Sequence, residues 1–168
     1  MLNYICLGIA AVLVALDQLV KFWAEHSLSQ VDTIALIPGV FHLTYVQNFG
    51  AAFNTMNNQR LLLVVLTSAV LLVIFVLLLL GKLHSPWMVV SWSLILAGGA
   101  GNLIDRLFRE GGYVVDLFDF RLINFPVFNV ADICVTVGMA LFLIYFIFIE
   151  RKEHRRFEIR QEIKRHEQ

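Results

Sequence analysis

Four long runs of apolar residues, separated by shorter polar segments, dominate the hydropathy pattern of this chain. The clearest run covers residues 61–80, where only Thr67 and Ser68 interrupt the apolar side chains. A helix of about 20 apolar residues crosses a hydrocarbon core of about 30 Å, so this run predicts a transmembrane helix. Three further runs, each with a few polar residues near one end, predict spans at about residues 2–24, 87–104 and 127–149.

The composition supports a membrane protein. Of the 168 residues, 59% are hydrophobic and only 15% are charged, and the mean hydropathy is +0.76, whereas soluble domains carry about 25% charged residues. The four runs use most of the chain, so we expect residues 1–168 to form a single polytopic membrane domain. The net charge is zero, and we therefore expect no nucleic-acid partner.

The segment after the last run sets the expected orientation. Residues 150–168 carry seven basic residues against five glutamates, and basic segments beside a span remain in the cytoplasm. An even number of spans then places both termini in the cytoplasm. The loops at residues 25–60 and 105–126 would lie outside, and the tail itself is typical of a charged, solvated helix.

The two outer loops contain strand patterns. Apolar and polar side chains alternate along residues 41–45, within a β-rich segment at residues 34–53, and residues 113–119 form another short β-rich segment. Alternation with a period of two is typical of a strand with one buried face. We therefore predict an all-α membrane protein with four transmembrane helices and a small extracytoplasmic β-sheet formed from the two outer loops.

Four aspartates are expected to meet at the outer edge of the membrane. Asp17 lies about 15 residues along an outward span, which is roughly 22 Å at 1.5 Å per residue. Asp105 ends the third span, Asp132 lies in the first two turns of the fourth, and Asp116 lies in the loop between them. An acid at membrane depth costs about 2.5–3.5 kcal/mol on insertion, which makes it a functional-site hypothesis.

Two of these acids have a cation close in sequence. Asp17 precedes Lys21 by four residues, and Asp105 precedes Arg106, so we expect ion pairs that support the helices. The small residues at 98–101 would let the third helix approach its neighbours closely.

The other two acids have no such cation. Asp132 has none within four residues on either side, and neither Asp116 nor Asp119 has one in the preceding turn. Unpaired acids are the better candidates for chemistry.

Five short motifs follow one another along the chain. They are Asp17-Gln18-Leu19-Val20-Lys21, Asn48-Phe49-Gly50-Ala51-Ala52-Phe53, Gly98-Gly99-Ala100-Gly101-Asn102-Leu103-Ile104-Asp105-Arg106, Val114-Val115-Asp116 and Phe128-Asn129-Val130-Ala131-Asp132. In this order the motifs resemble the lipoprotein signal peptidase family, the type II signal peptidases of bacteria. The resemblance implies an intramembrane aspartyl endopeptidase of the bacterial plasma membrane. Such an enzyme removes signal peptides from diacylglyceryl-modified prolipoproteins, cleaving just before the lipidated cysteine.

The resemblance also implies roles for individual residues. Asp116 and Asp132 correspond to the two catalytic aspartates. The supporting and substrate-binding positions correspond to Asp17, Lys21, Asn48, Gly50, Asn102, Asp105, Arg106, Asn129 and Ala131. The partners implied are lipobox precursors, membrane lipid and inhibitors of the globomycin type, which are cyclic peptides. Neither a metal nor a cofactor is expected.

Paired carboxylates suit this chemistry. Two carboxylates in one site do not readily both ionise, so they hold one proton between them at neutral pH, as in the aspartic-protease dyad. The ionised aspartate would take a proton from the attacking water. The protonated one would donate to the scissile carbonyl oxygen. Such a mechanism needs no Ser, Cys or Lys nucleophile.

Other functions fit the sequence less well. The five histidines are scattered and form no H-E-x-x-H motif, which argues against a metalloprotease, and no serine lies one turn from Lys21 for a Ser/Lys peptidase. The main alternative is a proton- or ion-coupled transporter, in which intramembrane carboxylates relay charge. Transporters usually contain internal repeats and midplane sites, and the sequence predicts neither. A purely structural protein would leave the unpaired Asp132 without a role.

Overall fold

The computed structural model describes residues 1–31, 33–50, 60–83 and 85–150. The helices are α1 (Leu2–Trp23), α2 (Arg60–Leu79), α3 (Pro86–Phe108) and α4 (Val130–Ile144). The strands are β1 (Ile34–Ile37), β2 (Phe41–Asn48) and β3 (Val114–Phe120). The tail at residues 151–168 and the part of the first outer loop at residues 51–59 lie outside the described residues.

The four helices confirm the predicted spans. Including one π-helical turn after α1, the segments long and apolar enough to cross a membrane are Leu2–Leu28, Arg60–Leu79, Pro86–Phe108 and Val130–Phe148. Two bounds differ from the prediction. The third helix continues to Phe108, so Asp105 and Arg106 lie inside it rather than in a loop. The fourth begins at Val130 because the Asn129 side chain caps its first turn.

The predicted sheet is present and has three antiparallel strands in the order β1-β2-β3. Its register pairs Val46 with Asp116 and Asn48 with Val114. The first four residues of β3 are buried, and Val115 and Leu117 pack against the π turn that follows α1. This packing fixes the strand that carries Asp116 to the end of the helix bundle.

Two glycines of α3 permit the close helix packing that the sequence predicted. A Cβ on Gly98 would lie 2.2 Å from the Ala131 carbonyl oxygen, and one on Gly101 would lie 2.5 Å from Asp17 Oδ2. Because neither glycine has a side chain, α3 lies directly against α4 at the first position and against α1 at the second. The polar residues of α1, α3 and α4 therefore meet at one end of the bundle.

Candidate active site

A cavity of about 530 Å³ opens where the sheet meets α3 and α4. Asp116 and Asp132 both line it, and so do Asn48, Asn102 and Arg106. Apolar residues of the segment before α4 and of α4 itself form most of the remaining wall. Polar groups converging on a largely apolar cavity are typical of a binding or catalytic site.

Asn129 connects the two aspartates. Its Nδ2 donates to Asp116 Oδ1 at 2.6 Å, and its Oδ1 accepts from the Asp132 backbone N–H at 2.9 Å. The Asn129 backbone N–H in turn donates to Asp132 Oδ2 at 3.1 Å, which completes a capping box at the start of α4. Asn129 is fully buried, so one fixed residue positions both carboxylates, Asp116 through its side-chain amide and Asp132 through its backbone N–H.

Asp132 lies at the N-terminus of α4. The unpaired backbone N–H groups of a helix N-terminus favour a negative charge, and Asn102 Nδ2 donates to Asp132 Oδ1 at 2.8 Å. These donors stabilise the carboxylate form. Among the residues that the structure describes, neither Asp132 nor Asp116 forms an ion pair.

Asp116 has a different environment. It is 2% exposed and accepts from Asn48 Nδ2 at 3.0 Å as well as from Asn129. Burial and the nearby charge of Asp132 raise the pKa of Asp116 to about 7, against the lowering effect of the two amides and of Lys21. Near neutral pH Asp116 is therefore poised to hold a proton.

Lys21 lies behind this pair and is fully buried. Its Nζ is 2.9 Å from Asp17 Oδ2, 2.9 Å from Asp105 Oδ2 and 2.9 Å from Asn102 Oδ1. All three ammonium donors are thereby used. The predicted Asp17–Lys21 pair is present, and Lys21 also orients the amide of Asn102 toward Asp132.

The two acids bound to Lys21 each hold backbone next to a candidate catalytic residue. Asp17 Oδ1 accepts from the Ala131 N–H at 2.9 Å, one residue before Asp132. Asp105 Oδ2 accepts from the Val115 N–H at 3.2 Å, one residue before Asp116. The supporting positions are therefore connected to the dyad through short backbone segments.

The expected Asp105–Arg106 pair is wrong. Asp105 binds Lys21 and Arg109 instead, because adjacent residues on a helix do not face each other whereas residues four apart do. Arg106 turns toward the cavity and donates to the Gly50 carbonyl oxygen at 2.8 Å and to the Asn102 carbonyl oxygen at 3.3 Å.

Gly50 belongs to a turn that Asn48 stabilises. The Asn48 Oδ1 accepts from the Gly50 N–H at 2.9 Å, while its Nδ2 reaches Asp116. Together with the Arg106 bond to the Gly50 carbonyl oxygen, these contacts bring the end of β2 to the cavity rim. All eleven residues singled out in the sequence are thus part of one network.

Two further charged residues that the sequence analysis missed extend this network. Arg109 Nε is 3.0 Å from Asp105 Oδ1, and its Nη1 pairs with Glu25 Oε2. Tyr113 OH donates to Glu25 Oε1 at 2.7 Å. For Arg109 the signal was the spacing, since it follows Asp105 by four residues. Glu25 binds residues that are distant along the chain, and no local spacing indicates these contacts.

Asp119, the third acid without a preceding cation, is not part of the site. Arg121 Nε lies 2.7 Å from Asp119 Oδ2, and Thr44 Oγ1 donates to the same oxygen at 2.8 Å. Burial alone would raise the pKa of Asp119, but the contacts with Arg121 and Thr44 outweigh burial and lower this pKa. It is an ionised, paired residue at the other end of β3.

The chain is similar in sequence to known proteins over most of its length. The sequence profile of the signal peptidase (SPase) II family matches residues 9–148. A lipoprotein signal peptidase of Clostridioides difficile (strain 630) is 44% identical over 144 residues, which cover 86% of this chain and 95% of that one. One from Streptococcus thermophilus (strain CNRZ 1066) is 43% identical over 142 residues, covering 84% and 92%.

Solved structures give the same picture of the fold. A bacterial membrane enzyme determined by the in meso method superposes with a TM-score of 0.78 at 29% identity, over 84% of this chain and 87% of the other. A second such structure has a TM-score of 0.75, also at 29% identity, and covers 86% and 93%. None of these similarities supports a transporter.

Proposed function

We propose that this chain, which belongs to the signal peptidase II family and removes signal peptides from prolipoproteins, does so as an aspartic protease with Asp116 and Asp132 as its dyad. The main support for this proposal is the buried residue Asn129, whose side-chain amide donates to the Asp116 carboxylate and whose backbone N–H donates to the Asp132 carboxylate, at the wall of one cavity. Asn48 also donates directly to Asp116, and Lys21, Asn102, Asp17 and Asp105 support the two aspartates from behind.

The two environments assign the roles. Asp132, stabilised as a carboxylate at the N-terminus of α4, takes a proton from water as the water attacks the scissile carbonyl carbon. Asp116, which holds its proton up to about pH 7, donates that proton to the carbonyl oxygen. Asp132 then passes its proton to the leaving amine as the C–N bond breaks, and Asp116 recovers its proton from one hydroxyl of the geminal diol as the carbonyl re-forms. Asn48 and Asn129 keep Asp116 oriented throughout.

This assignment predicts how activity depends on pH. The pKa of Asp116 is raised, so the group is neutral below about pH 7 and ionised above it. Once the second proton leaves the dyad, no general acid remains, and kcat/KM should fall about tenfold for each pH unit beyond that point. The profile can be measured in detergent from about pH 5.5 to about pH 9. A rate that stays level to the upper end would contradict a proton on Asp116.

The cavity also suits a lipidated substrate. Its apolar wall includes Phe125, Phe128 and Ile133 beside the dyad, and each CH₂ buried contributes about 0.8 kcal/mol to retention of an acyl chain. The proposed substrates are diacylglyceryl prolipoproteins, with the acyl chains in contact with membrane lipid. Cyclic peptides of the globomycin type would compete for the same cavity.

Purified protein should shorten a diacylglyceryl precursor on a gel, and failure to do so would refute the proposed activity.

The proposed orientation places the dyad at the outer face of the bacterial plasma membrane, with both termini in the cytoplasm. Exported precursors are then within reach of the site. Reporter fusions after Lys82 and after Gln168 should give a cytoplasmic signal, and a fusion at Gly112 should give an external one. An internal signal at Gly112 would put Asp116 on the wrong side of the membrane for exported substrates.

A further inference from the structure

A chain of alternating charges leads away from the dyad toward the surface. It runs from Asp17 through Lys21, Asp105 and Arg109 to Glu25. The side chains of the first three are at most 2% exposed, Arg109 is 15% exposed and Glu25 is 30% exposed. The inner members belong to motifs already described, but Arg109 and Glu25 do not.

The inner part of this chain lacks one positive charge. Asp17 and Asp105 share Lys21, so two buried carboxylates have one buried cation between them. Arg109 supplies the second cation through its 3.0 Å contact with Asp105 Oδ1. A buried carboxylate without a compensating charge is strongly unfavourable, so Arg109 supplies the compensation that Lys21 alone does not.

The contact between Arg109 and Asp105 also fixes the rotation of the Asp105 carboxylate. With Oδ1 bound by Arg109, Oδ2 faces Lys21 and the Val115 N–H. Val115 is fully buried and immediately precedes Asp116. The orientation of one carboxylate is thereby transmitted to the backbone of the strand that carries the proposed general acid.

Glu25 and Tyr113 hold Arg109 in place on its more exposed side. Its Nη1 pairs with Glu25, whose other oxygen accepts from Tyr113 OH at 2.7 Å, and its guanidinium lies 5.7 Å from the centre of the Tyr113 ring. Burial opposes the charge on Arg109, but the bonds to Glu25 and Asp105 outweigh burial and raise its pKa. The planar guanidinium reaches both carboxylates at once, which a lysine ammonium at the same position cannot do.

We propose that Arg109, anchored by Glu25 and Tyr113, is a positioning residue for Asp116, acting through Asp105 and the Val115 backbone. This inference rests on the proposed roles of Asp116 and Asp132. It assigns a part in the reaction to residues outside the five motifs.

The test is Arg109→Gln in the full-length protein, compared with Arg109→Lys and with Arg121→Gln. Arg121 is a matched control because it also pairs with an aspartate, but that aspartate is Asp119, at the end of β3 away from the cavity. For Arg109→Gln we expect kcat to fall about 10- to 100-fold with little change in KM, since small displacements of a catalytic group have effects of this size. Arg121→Gln should retain the rate of the unmodified protein.

The pH profile of cleavage shows whether Arg109 positions Asp116 or only stabilises the fold. The groups that face Asp116 are Asp132 on α4, Lys21 on α1, Arg106 on α3 and Asn48 on β2, and all are unchanged in Arg109→Gln. Arg109 contacts Asp105 rather than Asp116, so its loss leaves the negative charge of Asp105, which binds the Val115 N–H beside Asp116, less compensated. That negative charge favours the protonated form of Asp116, so the alkaline limb of the profile should move to higher pH. Arg109→Lys keeps the positive charge and should return the alkaline limb of the pH profile to its original position. It should recover only part of kcat, because a lysine ammonium does not bind Asp105 and Glu25 together.

Two outcomes would overturn the inference. One is an Arg109→Gln protein with a lower Tm but an unchanged kcat and pH profile. If Arg109→Gln does not fold, Glu25→Gln is measured instead, because Glu25 is partly exposed and its replacement should also lower kcat. An unchanged kcat in Glu25→Gln is the second outcome that would overturn the inference. Failure of the proposed function has a different signature, namely cleavage by Asp116→Asn whatever the Arg109 variants do.

Discussion

Replacing Asp116 or Asp132 with asparagine is expected to reduce cleavage of a lipidated precursor by at least about 10³-fold, because each variant removes one half of the proton transfer. Asparagine has nearly the shape of aspartate, so Asp132→Asn keeps the size of the group that Asn102 contacts. The rate can be followed by gel shift in detergent, and the fold by thermal unfolding. Both variants should insert in the membrane and fold.

Asp119→Asn is the matched control for this experiment. Asp119 lies on the same strand as Asp116, but it pairs with Arg121 and does not line the cavity. The control variant should cleave at close to the rate of the unmodified protein. If Asp119→Asn were as inactive as Asp116→Asn, the loss would reflect damage to β3 rather than loss of a catalytic group.

Replacing Lys21 with methionine is expected to lower both stability and activity. Methionine keeps the length of the side chain but leaves Asp17 and Asp105 without their shared cation, at a cost of about 3–5 kcal/mol when one partner of a buried pair is removed. The Asn102 amide also loses the donor that orients it toward Asp132. Thermal unfolding and the cleavage rate should therefore fall together.

Lys82→Met provides the comparison, since Lys82 is exposed in the turn between α2 and α3. That variant should match the unmodified protein in both measurements. A Lys21→Met protein of normal thermal stability but no activity would mean that Lys21 acts on the substrate directly rather than by supporting the site.

The elements that could be predicted from the sequence were those with a strong local pattern. The hydropathy of residues 61–80 and the alternation along residues 41–45 depend on neighbours within one element, and the helix and strands there agree with prediction. The helix ends were less accurate. The predicted helix ended where the run of apolar residues meets polar ones. In the structure α3 continues to Phe108, because its polar side chains form hydrogen bonds and ion pairs inside the bundle.

That boundary explains why part of the site was missed. With residues 105–126 taken as a loop, Arg106 was the natural partner of Asp105, and Arg109 had no fixed direction. Once the helix extends past Arg106, the four-residue spacing places Arg109 on the face of Asp105 and frees Arg106 for the cavity. The contacts of Asn129 with Asp116 join residues on separate elements, and no local pattern predicts these.

The central claim is most directly tested by mass spectrometry of the products formed from a diacylglyceryl prolipoprotein and from the same precursor without lipid. The unmodified protein and Asp119→Asn are expected to release an intact signal peptide from the lipidated precursor, leaving the lipidated cysteine at the new N-terminus. Asp116→Asn and Asp132→Asn should release none, and the unlipidated precursor should remain uncut. Cleavage at that bond by either dyad variant, at the rate of the unmodified protein, would contradict the assignment of Asp116 and Asp132 as the catalytic dyad.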